Sequence, residues 1–283
     1  MIESRALINA ANIVGLRPDI VEKDYVLGWL LSGIYNDPII SNEWIFKGGT
    51  CLKKCWFETY RFSEDLDFTI INAQHLNIEF LYERFSKISD WLQENSGIEL
   101  PKDLIIFKIY TNKKNSIACE GRVSYRGPIA PRNRSLPRIK IDLTANEKIV
   151  LPPVIRTVSH VYSDYPDHGI QALCYSYEEI FGEKIRALSE RTRPRDLYDV
   201  INLFRSTEFP SNPAIVREVV LQKCDFKGIP FPTLETLMPF KDRLSAEWVD
   251  MLSHQLPRLP PLESFWSALS EFFEWLMGNT EVQ

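Results

Sequence analysis

Apolar residues recur at helical spacing through the first forty positions, and Val21, Leu27, Leu30, Leu31 and Ile34 form a stripe that Asp37-Pro38 ends. A short apolar run at 43–46 predicts a strand that leads into the pair Gly48-Gly49. The spacing then predicts a helix over 50–56 and a strand over 65–71. A further helix follows over 78–95, and two strands over 104–110 and 117–125 are joined by the polar turn 112–115. The loop 127–137 carries three prolines and leads to a strand over 138–144. Beyond Pro152-Pro153 the pattern turns helical, at 177–191, 196–204, 244–256 and 262–277. Strands collect in the first half and helices in the second, which predicts an α+β fold with a mixed sheet and a helical C-terminal domain. The boundary is expected near 150–175, giving domains of 1–165 and 166–283.

A chain of 283 residues buries a sizeable core, and 45% hydrophobic with 25% charged residues is the balance of an ordinary globular protein. The net charge of −5 argues against nucleic-acid binding by bulk electrostatics, so any polynucleotide must meet a local basic patch. No stretch has the roughly 18 apolar residues of a membrane span, and the N-terminus does not read as a signal peptide. Five cysteines without a framework predict reduced thiols in a cytoplasm. Cys51 and Cys55 stand four apart, but no second Cys/His pair follows at zinc spacing, so a structural zinc site is not expected.

The candidate chemistry begins in the strand at 65–71. Alternation puts Leu66, Phe68 and Ile70 on one face and Asp65, Asp67 and Thr69 on the other. Two carboxylates on one face, with no local basic partner, repel each other unless a cation lies between them. A hard ion such as Mg²⁺ takes carboxylate oxygens and leaves room for substrate phosphates. The plainer reading is two ordinary surface acids. Upstream, Lys47-Gly48-Gly49-Thr50 joins a strand to a helix. Paired glycines let backbone N–H groups approach an anion, and the Thr50 hydroxyl could donate to phosphate. The spacing is not that of a Walker loop, and a turn needing positive φ explains the glycines equally. In the strand at 138–144, Lys140, Asp142 and Thr144 share the polar face, so Asp142 is a third candidate carboxylate for phosphoryl transfer.

Lys184 interrupts the apolar stripe of the helix at 177–191. It must snorkel, pair with an acid or face a pocket, and a triphosphate pocket would satisfy it. Asp196 follows Pro194, where it suits the first turn of a helix, or orients Lys184 or a substrate. From Gly121 to Ile141 no acidic residue occurs, while Arg122, Arg126, Arg132, Arg134, Arg138 and Lys140 do. That strip is a candidate polynucleotide contact, led by Arg126, Arg132, Arg134 and Arg138; a solvated surface is the alternative.

Together, Lys47-Gly48-Gly49-Thr50 and Arg61-Phe62-Ser63-Glu64-Asp65-Leu66-Asp67-Phe68 resemble the first motif of the AbiEii/AbiGii toxin family, in the polymerase-beta-like nucleotidyltransferase superfamily. The resemblance continues in Val21-Glu22-Lys23-Asp24-Tyr25, Lys140-Ile141-Asp142-Leu143-Thr144, Glu179 to Leu188, and Arg193-Pro194-Arg195-Asp196-Leu197-Tyr198-Asp199. It runs from about residue 21 to 204 and weakly on to the region of Trp248. It implies a polymerase-beta-like core, with Lys47, Gly48, Gly49, Thr50 and Lys184 contacting the nucleotide. Asp65, Asp67 and Asp142 would bind Mg²⁺ or Mn²⁺, and Asp65, Asp67, Asp142, Lys184 and Asp196 would form the catalytic set. The implied reaction is attack of an acceptor hydroxyl on the α-phosphorus of an NTP. The implied acceptor is RNA, tRNA first, for a cytoplasmic toxin of a toxin–antitoxin or phage-defence system, with a cognate antitoxin as a possible partner. Nucleotidylation of a protein or small molecule, and a non-catalytic NTP- or partner-binding protein of the same fold, are the alternatives.

Overall fold

The computed structural model describes residues 1–57, 60–111, 117–129, 135–166 and 169–278. The chain divides into two compact units, one of residues 1–147 and 153–174, the other of 148–152 and 175–283.

The first unit holds a seven-stranded mixed sheet. Its strands are β1 Trp44–Lys47, β2 Asp65–Ile70, β3 Ile105–Thr111, β4 Ile117–Ser124, β5 Arg138–Ala145, β6 Val154–Thr157 and β7 Gln171–Cys174, in the order β3-β4-β5-β2-β1-β7-β6. β2 pairs antiparallel with β1 and parallel with β5, so residues 71–137 leave the sheet's centre and return to it. Helices α1 Ser4–Val14, α2 Pro18–Asn36, α3 Gly48–Cys51 and α4 Ile78–Ser96 belong to this unit. α3 runs directly into a π-helical turn, Leu52–Trp56. The helix expected from residue 50 therefore starts two residues earlier, at the glycine pair, and widens into a π turn after Cys51.

The predicted alternation sets the two faces of the sheet. Leu66, Phe68, Ile139, Ile141 and Leu143 are buried, while Asp65, Asp67, Lys140 and Asp142 are half-exposed. Phe85 of α4 meets Phe107 edge-on at 5.0 Å between ring centroids, and Phe68 lies 5.4 Å from Phe46 and 5.6 Å from Trp44. Each such fully buried aromatic contributes roughly 1.5–3 kcal/mol over exposure. This apolar layer fixes register, because a one-residue slip of β2 would turn Phe68 to the polar face and Asp67 into the core.

The second unit is helical: α5 Tyr177–Arg191, α6 Pro194–Phe204, α7 Pro213–Lys227, α8 Leu234–Leu237, α9 Lys241–Leu252, α10 Glu263–Trp266 and α11 Leu269–Met277. α5 packs on α7 so closely at Gly182 that a Cβ there would stand 2.4 Å from Val219 Cγ1. Phe181 stacks on Trp275, at 5.7 Å between centroids, beside Phe272. The single helix expected over 262–277 is broken at Ser267-Ala268, and that expected over 244–256 spans Lys241–Leu252 before a 3₁₀ turn. The spacing did not predict β6, β7 or α7, although α7 has a polar cap: the Asn212 side chain accepts from Ala214 N at 2.9 Å.

The segment 148–152 is tied into this unit by buried charge. Glu179 accepts from Val150 N and Leu151 N, at 3.2 and 2.9 Å, and Lys223 donates to Lys148 O at 2.9 Å. Lys223 and Glu179 are themselves paired at 2.6 Å, and Lys223 reaches Glu183 at 3.0 Å.

Candidate active site

The site candidates of the first unit meet on the sheet's polar face, near the start of α3. β1 brings in Lys47, and Gly48 then turns the chain with φ +79°. A Cβ on Gly48 would stand 2.2 Å from Asp67 Oδ2. Glycine is required there twice over, by the left-handed backbone and by the carboxylate lying on the Cα. At Gly49 the neighbouring groups are the guanidinium of Arg61, with Nη2 2.6 Å from where a Cβ would be, and Ser63 Oγ at 3.1 Å. Backbone amides without side chains, next to an arginine, form a surface that accepts an anion.

Register then defines a row of side chains across five strands. Lys47 stands opposite Asp67, Asp67 opposite Asp142, Asp142 opposite Glu120, and Glu120 opposite Lys108. The next row sets Asp65 beside Lys140 and Lys140 beside Arg122. Asp65 and Asp67 thus have basic neighbours after all, supplied by flanking strands, while that of Asp142 comes from its own strand. Lys140 Nζ donates to Asp142 Oδ2 at 2.7 Å and lies 3.6 Å from Glu120. Partial burial works against the Lys140 ammonium, but the hydrogen bond and charge of Asp142, with Glu120 and Asp65, raise it above its ordinary value. Lys47 Nζ donates to Thr144 Oγ1 at 3.2 Å. The hydroxyl of Thr50, expected to face phosphate, instead donates to the backbone carbonyl of Asp65, so Thr50 braces α3 against β2.

α2 supports this platform from within. Asp24 is buried and accepts from Lys54 of the π turn at 2.8 Å and from Tyr162 at 3.0 Å. Burial would raise the Asp24 carboxyl, yet the charges of Lys54 and Lys53 and these hydrogen bonds hold it below its usual range. Lys23 pairs with Glu64, just before β2, at 2.5 Å.

Lys184 and Asp196 belong to the second unit, and they do not pair with each other. Lys184 Nζ meets Asp199 Oδ2 at 2.6 Å with both side chains buried. Asp196 accepts two hydrogen bonds from Arg191, each 2.7 Å. Of the acid-free strip, Arg122 and Arg138 share a groove of about 380 Å³ with Leu104, Ile106, Lys108, Glu120 and Ser124. Arg126 is paired with Glu99. Arg132 and Arg134 lie outside the described residues. Sequence reasoning assigned no role to Arg61, Ser63, Glu120 or Lys108. For the first two the signal was present, since both sit inside the quoted motif.

No described helix is long and apolar enough to cross a membrane. Comparison with curated protein sequences gives no match. Among solved structures, the chain is similar to the nucleotidyltransferase toxin MenT4 of Mycobacterium tuberculosis H37Rv. The TM-score is 0.59 at 18% identity, over 98% of this chain and 90% of that one, a likeness of fold. The family profile for the nucleotidyl transferase AbiEii toxin of type IV toxin–antitoxin systems matches residues 29–273. That match spans nearly the whole chain, β1 through α11, and the protein therefore belongs to the AbiEii family and is a nucleotidyltransferase.

Proposed function

We propose that this enzyme transfers a nucleotide from an NTP to a hydroxyl of RNA, with tRNA the expected acceptor, using a divalent ion held by Asp65 and Asp67 with Asp142 as third carboxylate. The observation that carries this reading is the bare backbone of Gly48 against Asp67, with Asp142 on the adjacent strand. Amides of Gly48 and Gly49 bind the polyphosphate, helped by the positive charge of Arg61 and Lys47. Half-exposed carboxylates on one polar face are the oxygen donors that Mg²⁺ or Mn²⁺ takes, so the donor set fits. When bound, the ion would neutralise phosphate charge and favour in-line displacement.

The chain's own groups do the rest. Asp142 takes the proton of the acceptor hydroxyl as its oxygen attacks the α-phosphorus, the bond to the leaving phosphate breaks, and pyrophosphate departs. Lys140 tempers the charge of Asp142 and positions it. Arg122 and Arg138 on the groove, with Arg126 nearby in sequence, supply contacts for RNA phosphates in a protein that is acidic overall. Family membership supports action as a toxin with a cognate antitoxin, and the proposal places that action in the cytoplasm, in a toxin–antitoxin or phage-defence system.

The test is incubation of purified protein with each labelled NTP, Mg²⁺ and total bacterial RNA. Label is expected in a tRNA-sized band and absent with Asp67→Asn. Label on protein instead would replace RNA by a protein acceptor. No transfer from any NTP by folded wild-type protein would sink the reading.

A further inference from the structure

Sequence spacing treats the five cysteines as scattered, but the fold gathers three of them. Cys51 closes α3, Cys55 lies in the π turn one helical step on, and Cys174 ends β7. β7 reaches them because it runs parallel beside β1, with Cys174 opposite Phe46, the residue that leads into Lys47 and the glycine pair. The three Sγ atoms all lie within 4.8 Å of one another, and all three side chains are buried. Among the described residues no histidine or carboxylate joins them at that distance.

We propose that Cys51, Cys55 and Cys174 form a three-thiolate site for a soft d¹⁰ cation of low coordination number, copper(I) being the ion that fits. The reasoning is one of donor type, number and access. Thiolate sulfur selects soft ions and excludes Mg²⁺, Ca²⁺ and Mn²⁺, which take oxygen. A metal–sulfur bond of about 2.3 Å puts the sulfurs of a trigonal site about 4.0 Å apart, inside the observed spread. Structural zinc is almost always four-coordinate, and this buried cluster offers three donors, with no fourth histidine, cysteine or carboxylate at the same range among the described residues. A disulfide would join two of the sulfurs and leave the third, and thiols this buried are poorly placed to react with oxidants.

The surroundings suit an anionic sulfur cluster. Arg156 donates to the Cys55 carbonyl at 3.1 Å, and its guanidinium stacks over Trp56, 4.4 Å from the ring centroid. Hydrogen bonds from the Cys51 and Cys55 thiols hold Cys174 well below its usual value, at about 5, while Cys51 and Cys55 themselves are raised. Binding of the monovalent ion displaces to solvent the protons that the three ligand sulfurs carry, leaving three metal–sulfur bonds. This inference does not depend on the transferase reading, because its measurement is metal binding and not turnover.

The experiment is anaerobic titration of the reduced full-length protein against the copper(I)–bicinchoninate complex. Wild type is expected to withdraw one equivalent of copper(I), and so is Cys224→Ser, which alters a buried thiol of α7 in the other unit. Cys174→Ser should bind at least a hundredfold more weakly. Should Cys174→Ser fold poorly, X-ray absorption of copper-loaded wild type decides the matter, with three sulfur neighbours expected. Failure to withdraw copper(I), an undiminished affinity in folded Cys174→Ser, or a first shell of two sulfurs or of nitrogen and oxygen would overturn the proposal. So would a preference for zinc in a four-coordinate site.

Discussion

Lys184 tests whether a charged residue in an apolar stripe serves chemistry or architecture. Its ammonium meets Asp199 at 2.6 Å, with side-chain exposures of 8% and 0%. Lys184→Met would leave the Asp199 carboxylate buried without that cation, and breaking one side of a buried pair costs about 3–5 kcal/mol. At about 2–4 °C per kcal/mol for a protein of this size, the melting temperature should fall by roughly 6–20 °C. The double variant Lys184→Met/Asp199→Asn removes both charges together and should recover most of that loss, a coupling of at least about 2 kcal/mol in a double-mutant cycle. Urea unfolding followed by tryptophan fluorescence measures the stability, and transfer from labelled NTP is read on the same samples. A stable double variant that still transfers nucleotide would make Lys184 architectural. A stable but inactive one would support the nucleotide contact that the family resemblance implies. If Lys184→Met alone costs less than about 1 kcal/mol, the buried-pair reasoning is refuted.

Two further outcomes follow from the first unit. Gly48→Ala forces a Cβ into left-handed backbone and against Asp67 Oδ2, so about 1–2 kcal/mol of strain and a loss of at least roughly a hundredfold in turnover are expected, and a variant with wild-type kcat would show that Asp67 is not held by this contact. Burial lowers His160 to about 4, with the nearby Lys54 charge adding to the effect, so the folded state keeps it neutral while the unfolded chain protonates near 6.5. Stability from this residue is complete above about pH 6.5 and drains away as pH falls towards 4, by up to about 3 kcal/mol at 1.4 kcal/mol per unit. His160→Phe should flatten thermal melts across that window, and an unchanged slope would dismiss the assignment.

What could be read in advance follows from how local each signal is. The strand at Arg138–Ala145 and the helix at Tyr177–Arg191 are specified by their own alternation and spacing, and both expectations match the elements formed. β6 and β7 have four residues each and exist through pairing with each other and with β1, a condition that no window of sequence contains. α7 was legible, with Asn212 as cap, Pro213 in the first turn and Gly228 in left-handed backbone at its end. In the site, the polar face of Asp65 and Asp67 followed from alternation alone. That Asp142 would stand opposite Asp67, and that Lys140 and Lys47 would flank the acids, depended on β5 and β1 both choosing β2 as neighbour. The partner of Lys184 was ambiguous for a simpler reason. Asp196 and Asp199 differ by about 60° around α6, and spacing cannot choose between them.

Exposure separates the roles that the motif groups together. Asp24, Glu179, Lys184, Asp196 and Asp199 all fall in segments that resemble the family, and all are buried with a charged partner inside their own unit. Each pair costs desolvation that its Coulombic attraction only partly offsets, so stability alone does not favour such pairs over apolar side chains of equal size. What they supply is direction: Asp24 can satisfy Lys54 only if the π turn lies where it does, and Glu179 captures two backbone amides of the 148–152 segment. Asp65, Asp67 and Asp142 are different. They keep access to solvent and stand on the sheet, Asp67 against a glycine that tolerates no side chain. Half-exposed carboxylates gathered on one polar face, even with Lys47 and Lys140 beside them, suit a ligand that brings positive charge better than architecture alone. The buried ion pairs build the frame, and these three acids are the part of the motif that keeps access to solvent.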